Sequence, residues 1–222
     1  MVLSWAILPS ASHASRDLLL AATFGELSEV KMLLANGADI NYMNKGGRSA
    51  LINASSNGHE EIVKTLLASG AKPDLLTSAG HSALTAASSK GYDEVVLLLL
   101  QSNADVNVAV DGDLTAIVYA AFLGYPKVVE LLISHGRMSQ PMIKSLQQML
   151  KQSKYNPGSI DGILGPGTID ALRVKVQEAS DFERPPIDCN KSMVITDQGL
   201  RGFVLECTGK PDRHYTKNGG RI

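Results

Sequence analysis

The chain has 222 residues, of which 44% are hydrophobic and 19% charged, a composition typical of a folded globular protein rather than a disordered chain. Its 21 basic and 22 acidic residues leave a formal net charge of −1, so there is no global field to attract a nucleic-acid backbone. No apolar run approaches the roughly 18 residues needed to cross a bilayer. We therefore expect a folded protein with no nucleic-acid partner and no transmembrane segment.

Residues 1–14, MVLSWAILPSASHA, are set apart from the rest of the chain by a short apolar stretch over residues 2–8. Ser12-His13-Ala14 then matches the small-x-small pattern that precedes a secretory cleavage point, but the usual positively charged region is missing. Two interpretations stay open. The segment is either a trimmed or atypical export signal, or a frayed or docked N-terminal segment.

Internal self-similarity is the strongest signal in the sequence. Glycines recur every 33 residues in one register, and a second register repeats at the same interval: Gly25, Gly58, Gly91 and Gly124, then Gly37, Gly70, Asn103 and Gly136. Each unit contains a short helix, a glycine break and a second helix with apolar spacing such as Ile62, Val63, Leu66 and Leu67. This periodicity predicts a stack of repeated helical pairs.

The repeats at residues 15–138 resemble ankyrin repeats, whose unit is a β-turn followed by two antiparallel helices. The motifs that carry the resemblance are GADIN at 37–41, GHEEIVKTLL at 58–67 and NADVN at 103–107. The T-P-L-H start of the family becomes S-A-L-I, S-A-L-T and T-A-I-V in this chain. The resemblance implies a mainly α fold, with a solenoid of four repeats whose apolar faces cover one another.

Stacking of this kind leaves an extended concave surface that binds other proteins. Outward-pointing family positions correspond to the following residues, which we predict to bind a protein partner: Lys45, Arg48, Ser56, Asn57, His81, Ser89, Lys90, Asp111, Leu114, Phe122 and Leu123. Phe122 and Leu123 have a second interpretation, because they lie in the last repeat and would also pack against whatever follows it. The last helix keeps an apolar VVELLI run, so we expect the next domain to cap the stack.

Residues 139–183 break the register and predict a small helical domain. The stretch SLQQMLKQSKYNPGSIDGILGPGTIDALRVKVQ at 145–177 resembles the peptidoglycan-binding domain appended to bacterial cell-wall enzymes. The resemblance implies peptidoglycan contacts at Gln147, Tyr155 and Asp161. In the alternative interpretation, Asp161, Gly162 and their neighbours hold the Gly/Pro-rich loop in shape and touch no glycan.

Residues 184–222 predict a small β-hairpin, with strands at 193–196 and 203–205 around a turn at Asp197-Gln198-Gly199. A hairpin of this size has little core, so a disulfide between Cys189 and Cys207 would add about 3 kcal/mol of stability. Such a bond implies an oxidising compartment. Two free thiols in a reducing compartment are the alternative.

No metal, phosphate or hydrolase motif is present, and the pair Cys207 and His214 is a weak catalytic signal. We therefore expect a monomeric, non-enzymatic protein without a cofactor or metal, located in the bacterial periplasm or secreted. Its repeats would bind an unidentified protein and its second domain peptidoglycan. Two other functions stay open: a secreted bacterial effector that binds a host protein, and an accessory subunit of a cell-wall hydrolase or a weak enzyme.

Overall fold

The fold is known from a computed structural model, which describes residues 11–110, 114–181, 192–195 and 205–208. It is mainly helical. The helices α1–α8 are Ala11–Phe24, Leu27–Ala35, Ala50–Ser56, Glu60–Ala68, Ala83–Ser88, Asp93–Gln101, Ala116–Leu123 and Pro126–His135. Helices α9 and α10 are Gln140–Gln152 and Pro166–Asp181. Strands β1–β4 are Ala109–Val110, Leu114–Thr115, Ser192–Ile195 and Leu205–Thr208.

Helices α1–α8 form two layers, which together we call the array. The inner layer contains α1, α3, α5 and α7, each packed on the next, and the outer layer contains α2, α4, α6 and α8 in the same manner. Each inner helix also packs on the outer helix that follows it in sequence. The predicted solenoid of four helical repeats is confirmed.

The inner helices α3 and α5 each begin at a serine whose side chain caps the helix. The Ser49 side chain accepts a hydrogen bond from the Ile52 N–H, and Ser82 accepts one from the Thr85 N–H. The Thr85 hydroxyl in turn accepts the Ser82 N–H, which completes a capping box. Thr85 stands at the position where the ankyrin resemblance expects histidine, and its hydroxyl completes this capping box.

A ring from the following repeat packs over three of the four glycines in the first register. Gly25 lies under the imidazole of His59, Gly58 under the ring of Tyr92, and Gly91 under the ring of Tyr125. At Gly58 the backbone has φ +72°, and a Cβ atom there would lie 2.9 Å from the Tyr92 ring. Glycine is therefore needed twice over, for the left-handed backbone and for the space that the ring occupies.

A polar ladder joins the repeats at their turn tips. The Asn41 side chain accepts the Lys72 N–H at 2.9 Å, and Asp74 accepts the Asp105 N–H at 2.8 Å. The third hydrogen bond of this series joins the array to the segment that follows it. Asn107 accepts the Ser139 N–H at 2.7 Å, at the start of α9. The repeat register therefore continues across the end of the array into the segment that follows.

Helices α9 and α10, with the loop 153–165 between them, form a unit that we call the helix pair. Helix α10 packs on α7 in the same way that each inner helix packs on its predecessor. Leu150, Leu172 and Val176 are buried and belong to the same hydrophobic cluster that begins at Ala14. The prediction that the next domain caps the stack is confirmed, and the cap takes the place of a further inner helix.

Two predicted boundaries differ from the structure. Helix α1 begins at Ala11, so the predicted start of the repeats at residue 15 lies inside this helix, and Ala14 is already buried in the core. The hairpin exists, but its second strand runs from Leu205 to Thr208, later than predicted, and pairs Met193 with Cys207. Cys189 lies outside the described residues, so the disulfide stays a prediction.

Candidate functional site

The inner layer and the turns that precede its helices form one surface, which we call the inner face. The predicted protein-binding residues at its centre are the most accessible, since Lys45, Arg48, Asn57 and Lys90 are exposed. The others in the described part of the chain are half-buried: Ser56, His81, Ser89, Leu114, Phe122 and Leu123. Asp111 lies outside the described residues.

Several of these polar side chains are held by the array itself. The guanidinium of Arg48 lies 3.4 Å from the Asn53 side-chain oxygen, and the buried Asn53 amide donates to the Thr23 hydroxyl at 2.8 Å. The Asn57 amide donates to the Asn53 carbonyl at 2.9 Å. The imidazole of His81 lies 6.0 Å from the ring of Tyr119. The array therefore holds these side chains in place in the absence of a partner.

Two exposed apolar residues on the inner helix α1 were missed by the sequence reasoning. Leu20 is 51% exposed and Phe24 is 71% exposed, one turn apart on α1. The 33-residue register contained the signal, because Phe24 precedes Asn57, Lys90 and Leu123 in the same series. Large exposed apolar side chains on a binding face are candidate anchors for a partner.

At the other end of the inner face, Phe122 meets the helix pair. The ammonium of Lys175 lies 4.8 Å from the centre of the Phe122 ring and 5.8 Å from the centre of the Tyr155 ring. Burial lowers the pKa of Lys175, with Glu178 opposing that shift. The interpretation of Phe122 as a residue that packs against the following domain is therefore supported, because the Lys175 ammonium contacts one ring of the array and one ring of the helix pair.

Tyr155 closes one side of an open groove on the helix pair, with a volume of about 540 Å³. Its hydroxyl donates to the Glu178 carboxylate at 2.5 Å. Burial, and then this carboxylate, raise the pKa of Tyr155 to about 12, so the phenol is neutral at physiological pH. The groove is lined by Ser153, Lys154, Tyr155, Asn156, Asp170, Ala171, Val174 and Glu178.

Gln147, a predicted peptidoglycan contact, is only 1% exposed and organises the loop from inside. Its amide nitrogen lies 3.0 Å from acceptors on Asp161, Ile163 and Thr168, and its carbonyl oxygen accepts the Gly162 N–H at 3.0 Å. Both ends of the side chain are occupied, so this placement corrects the expected ligand contact to a structural role. The loop-holding interpretation of the motif applies at Gln147.

Asp161 is exposed, yet its carboxylate is also part of the loop. One oxygen accepts the Gln147 amide and the Ile163 N–H, and the other accepts the Ser159 hydroxyl at 2.7 Å. These donors, the Ser159 hydroxyl first, lower the pKa of Asp161 to about 2. Of the three predicted peptidoglycan residues, only Tyr155 lines the groove.

The comparisons with known families fit this geometry. A model for ankyrin repeats, in three copies, matches residues 18–110 and 80–144, which together span more than half of the chain. The chain belongs to the ankyrin-repeat family. A peptidoglycan binding domain model matches residues 139–174, which contain α9, the loop and the start of α10. No curated protein matches the chain.

Ankyrin repeats are protein-interaction modules, so the array of this chain is a protein-interaction region. Among residues 11–110 and 114–181, no group of three or more His, Cys, Asp and Glu side chains is placed to hold a metal ion. Within the same described part of the chain, no helix has the length and apolarity to traverse a bilayer.

Proposed function

We propose that this protein is a non-enzymatic scaffold of the bacterial cell envelope, periplasmic or secreted. Its ankyrin array binds a protein through the inner face, and its helix pair binds peptidoglycan through the groove beside Tyr155. The observation that carries this proposal is the shared core of the two parts, in which Leu172 on α10 is buried in the same cluster as the repeats. Two binding surfaces on one rigid body have a fixed relative position.

The junction between the two parts supports a rigid body. Asn107 accepts the Ser139 N–H, and its amide donates to the Arg137 carbonyl at 3.1 Å. A flexible Gly/Ser linker would have neither contact. A protein held on the array therefore stays at a defined distance from the groove, and its local concentration at the wall increases.

The groove has the chemistry that a glycopeptide polymer requires. Tyr155 supplies an aromatic ring, Asn156 supplies hydrogen-bonding groups, and Glu178 supplies an acceptor. Small-molecule sites commonly combine an apolar wall with a few polar groups in this manner. We place the peptidoglycan contacts here, because the side chains of Gln147 and Asp161 are engaged within the loop.

Co-sedimentation of the full chain with purified sacculi tests this function. We expect the protein to sediment, and Tyr155→Ala together with Asn156→Ala to weaken the binding by about tenfold. Gln148→Ala, at an exposed position on α9, is the matched control and should sediment as the unmodified protein does. Failure of the unmodified protein to sediment would leave the helix pair with its capping role alone.

Release of muropeptides from the same sacculi tests the non-enzymatic part of the proposal. We expect no soluble muropeptides with the unmodified protein or with Cys207→Ala. Release by the unmodified protein that Cys207→Ala abolishes would instead make the chain a cell-wall enzyme.

A further inference from the structure

The two layers of the array carry different charges. Acidic residues dominate the outer helices α2, α4, α6 and α8, which contain Glu29, Glu60, Glu61, Asp93, Glu94 and Glu130. The inner helices α3, α5 and α7 contain no acidic residue, and α1 has Asp17 next to Arg16. Among the exposed charges of the second and third repeats on the inner face, basic residues outnumber acidic ones: Lys45, Arg48, Lys72 and Lys90 against Asp39 and Asp74.

These basic groups differ from the paired lysine of the outer layer. Lys127 on α8 forms ion pairs with Asp93 and Glu94 on the neighbouring helix α6. Among the residues that the structure describes, no carboxylate lies within ion-pair distance of Lys45, Arg48 or Lys90. The inner face therefore presents positive charge that the array itself does not neutralise.

The apolar anchors lie at one end of this basic region. Phe24 and Lys90 belong to the same register, two repeats apart, and successive packed helices lie about 10 Å from each other. The separation is therefore about 20 Å, which an extended peptide spans with about six residues.

We propose that the inner face binds an acidic segment of a partner protein, with a large apolar residue of that segment on Leu20 and Phe24 and its carboxylates on Arg48 and Lys90. This inference rests on the proposed function, since it names the chemistry of the protein that the array binds. Charge complementarity sets the register and the rate of association, and the apolar contact supplies an anchor.

The direct test uses fluorescent peptides with the full chain. The probe has two phenylalanines at one end and a run of about six glutamates, synthesised in both chain directions. We expect saturable binding that weakens as salt is raised, and no binding of the matched peptide with lysines in place of the glutamates. Equal binding of the lysine peptide would overturn the inference. So would tighter binding of a single-stranded oligonucleotide, because the surface would then recognise phosphate.

Matched variants locate the binding on the inner face. Arg48→Glu with Lys90→Glu should weaken peptide binding by about tenfold or more, whereas Lys64→Glu on outer helix α4 should have no effect. Phe24→Ser should weaken it by about fivefold, and Met32→Ser, 50% exposed on outer helix α2, is its control. Equal losses in the outer-layer variants would overturn the proposal.

A further measurement tests whether the N-terminal segment, rather than a partner protein, covers Leu20 and Phe24. Trp5 is the one tryptophan of the chain and lies in this segment, so its fluorescence reports directly on that arrangement. We expect Phe24→Ser to leave the emission of the uncomplexed protein unchanged. A shift in emission would mean that the chain covers Leu20 and Phe24 itself, which would overturn the apolar part of the proposal.

Capture of proteins from a cell-envelope extract separates this inference from the proposed function. A blocking variant, Ser56→Trp with Ser89→Trp, obstructs the inner face without reversing its charge. If blocking abolishes capture and Arg48→Glu with Lys90→Glu does not, only the acidic-partner inference fails. If neither variant affects capture, the proposed protein-binding function of the inner face fails as well.

Discussion

The array and the helix pair bury polar groups in different ways. In the array, Ser55 and Ser88 occupy equivalent positions of two repeats, and both hydroxyls are buried with no hydrogen-bond partner among the residues that the structure describes. In the helix pair, the buried Gln147 side chain has partners at both its nitrogen and its oxygen. Among the described residues of this pair, the Ser153 hydroxyl at the start of the loop is buried without one. The array is therefore held by apolar stacking that tolerates small polar defects, whereas the loop depends on one amide.

The largest expected loss of stability comes from a substitution in the core that the array and the helix pair share. Leu172→Ala removes a fully buried side chain from α10 and should lower the free energy of unfolding by about 3 kcal/mol. Because the core is continuous, hydrogen exchange should also become faster in α7. Val174→Ala, 51% exposed on the same helix, is the control. Unchanged exchange in α7 would mean that the helix pair unfolds independently of the array.

A smaller loss is expected from the loop. Gln147→Leu keeps the volume but leaves the Gly162 N–H and the Thr168 hydroxyl without the amide, so we expect a loss of about 2 kcal/mol by urea unfolding. Gln148→Leu changes the exposed neighbour on α9 and should be nearly neutral. A nearly neutral Gln147→Leu would show that apolar packing holds the loop as it does the array.

Within the array, alanine substitutions at two glycines distinguish the cost of backbone strain from the cost of crowding. Gly70 has φ +90° and open space around it, so Gly70→Ala should cost about 1 kcal/mol from the left-handed backbone alone. Gly58→Ala adds the displacement of the Tyr92 ring and should cost about 2 kcal/mol by thermal unfolding. Equal costs would show that the Tyr92 ring moves aside without a loss of stability. The rings packed over Gly25, Gly58 and Gly91 would then contribute little to the stacking of the repeats.

The unpaired serine predicts a gain in stability. Ser55→Ala removes a buried hydroxyl without a partner, and the first and last repeats already have Ala22 and Ala121 at this position. We expect an increase of about 1 kcal/mol in the free energy of unfolding, measured with urea. A decrease would mean that the hydroxyl has a favourable role, which would remove the contrast between the two regions.

The smallest effect is a pH dependence in the loop. The pKa of Asp161 is about 2 in the folded protein, below its ordinary value of 3.8, so its stabilising contribution is present above about pH 4 and is lost as the pH falls toward 2. Asp161→Asn should therefore flatten the dependence of the urea midpoint on pH in this window. Asp170→Asn, exposed on α10, is the control, and an equal flattening there would contradict the assignment.

Local periodicity was sufficient to predict the array. The 33-residue register placed the helices of the array, because each repeat contacts only its neighbours and every contact therefore repeats along the sequence. The same register also contained Phe24. It was overlooked because exposure cannot be read from residue type alone, and the first repeat has no earlier neighbour to indicate which of its apolar residues stay uncovered.

The sequence by itself determined the repeat, its apolar stacking positions and the two families that the chain resembles. Only the tertiary structure decided that Gln147 lies inside the loop, that α10 replaces a further inner helix beside Phe122, and that the two layers differ in charge. The physical reason is the range of the contacts. The partners of Gln147 lie 14 to 21 residues away, with no repeat to signal them. The packing of α10 on α7 likewise depends on the path of the chain through the whole helix pair.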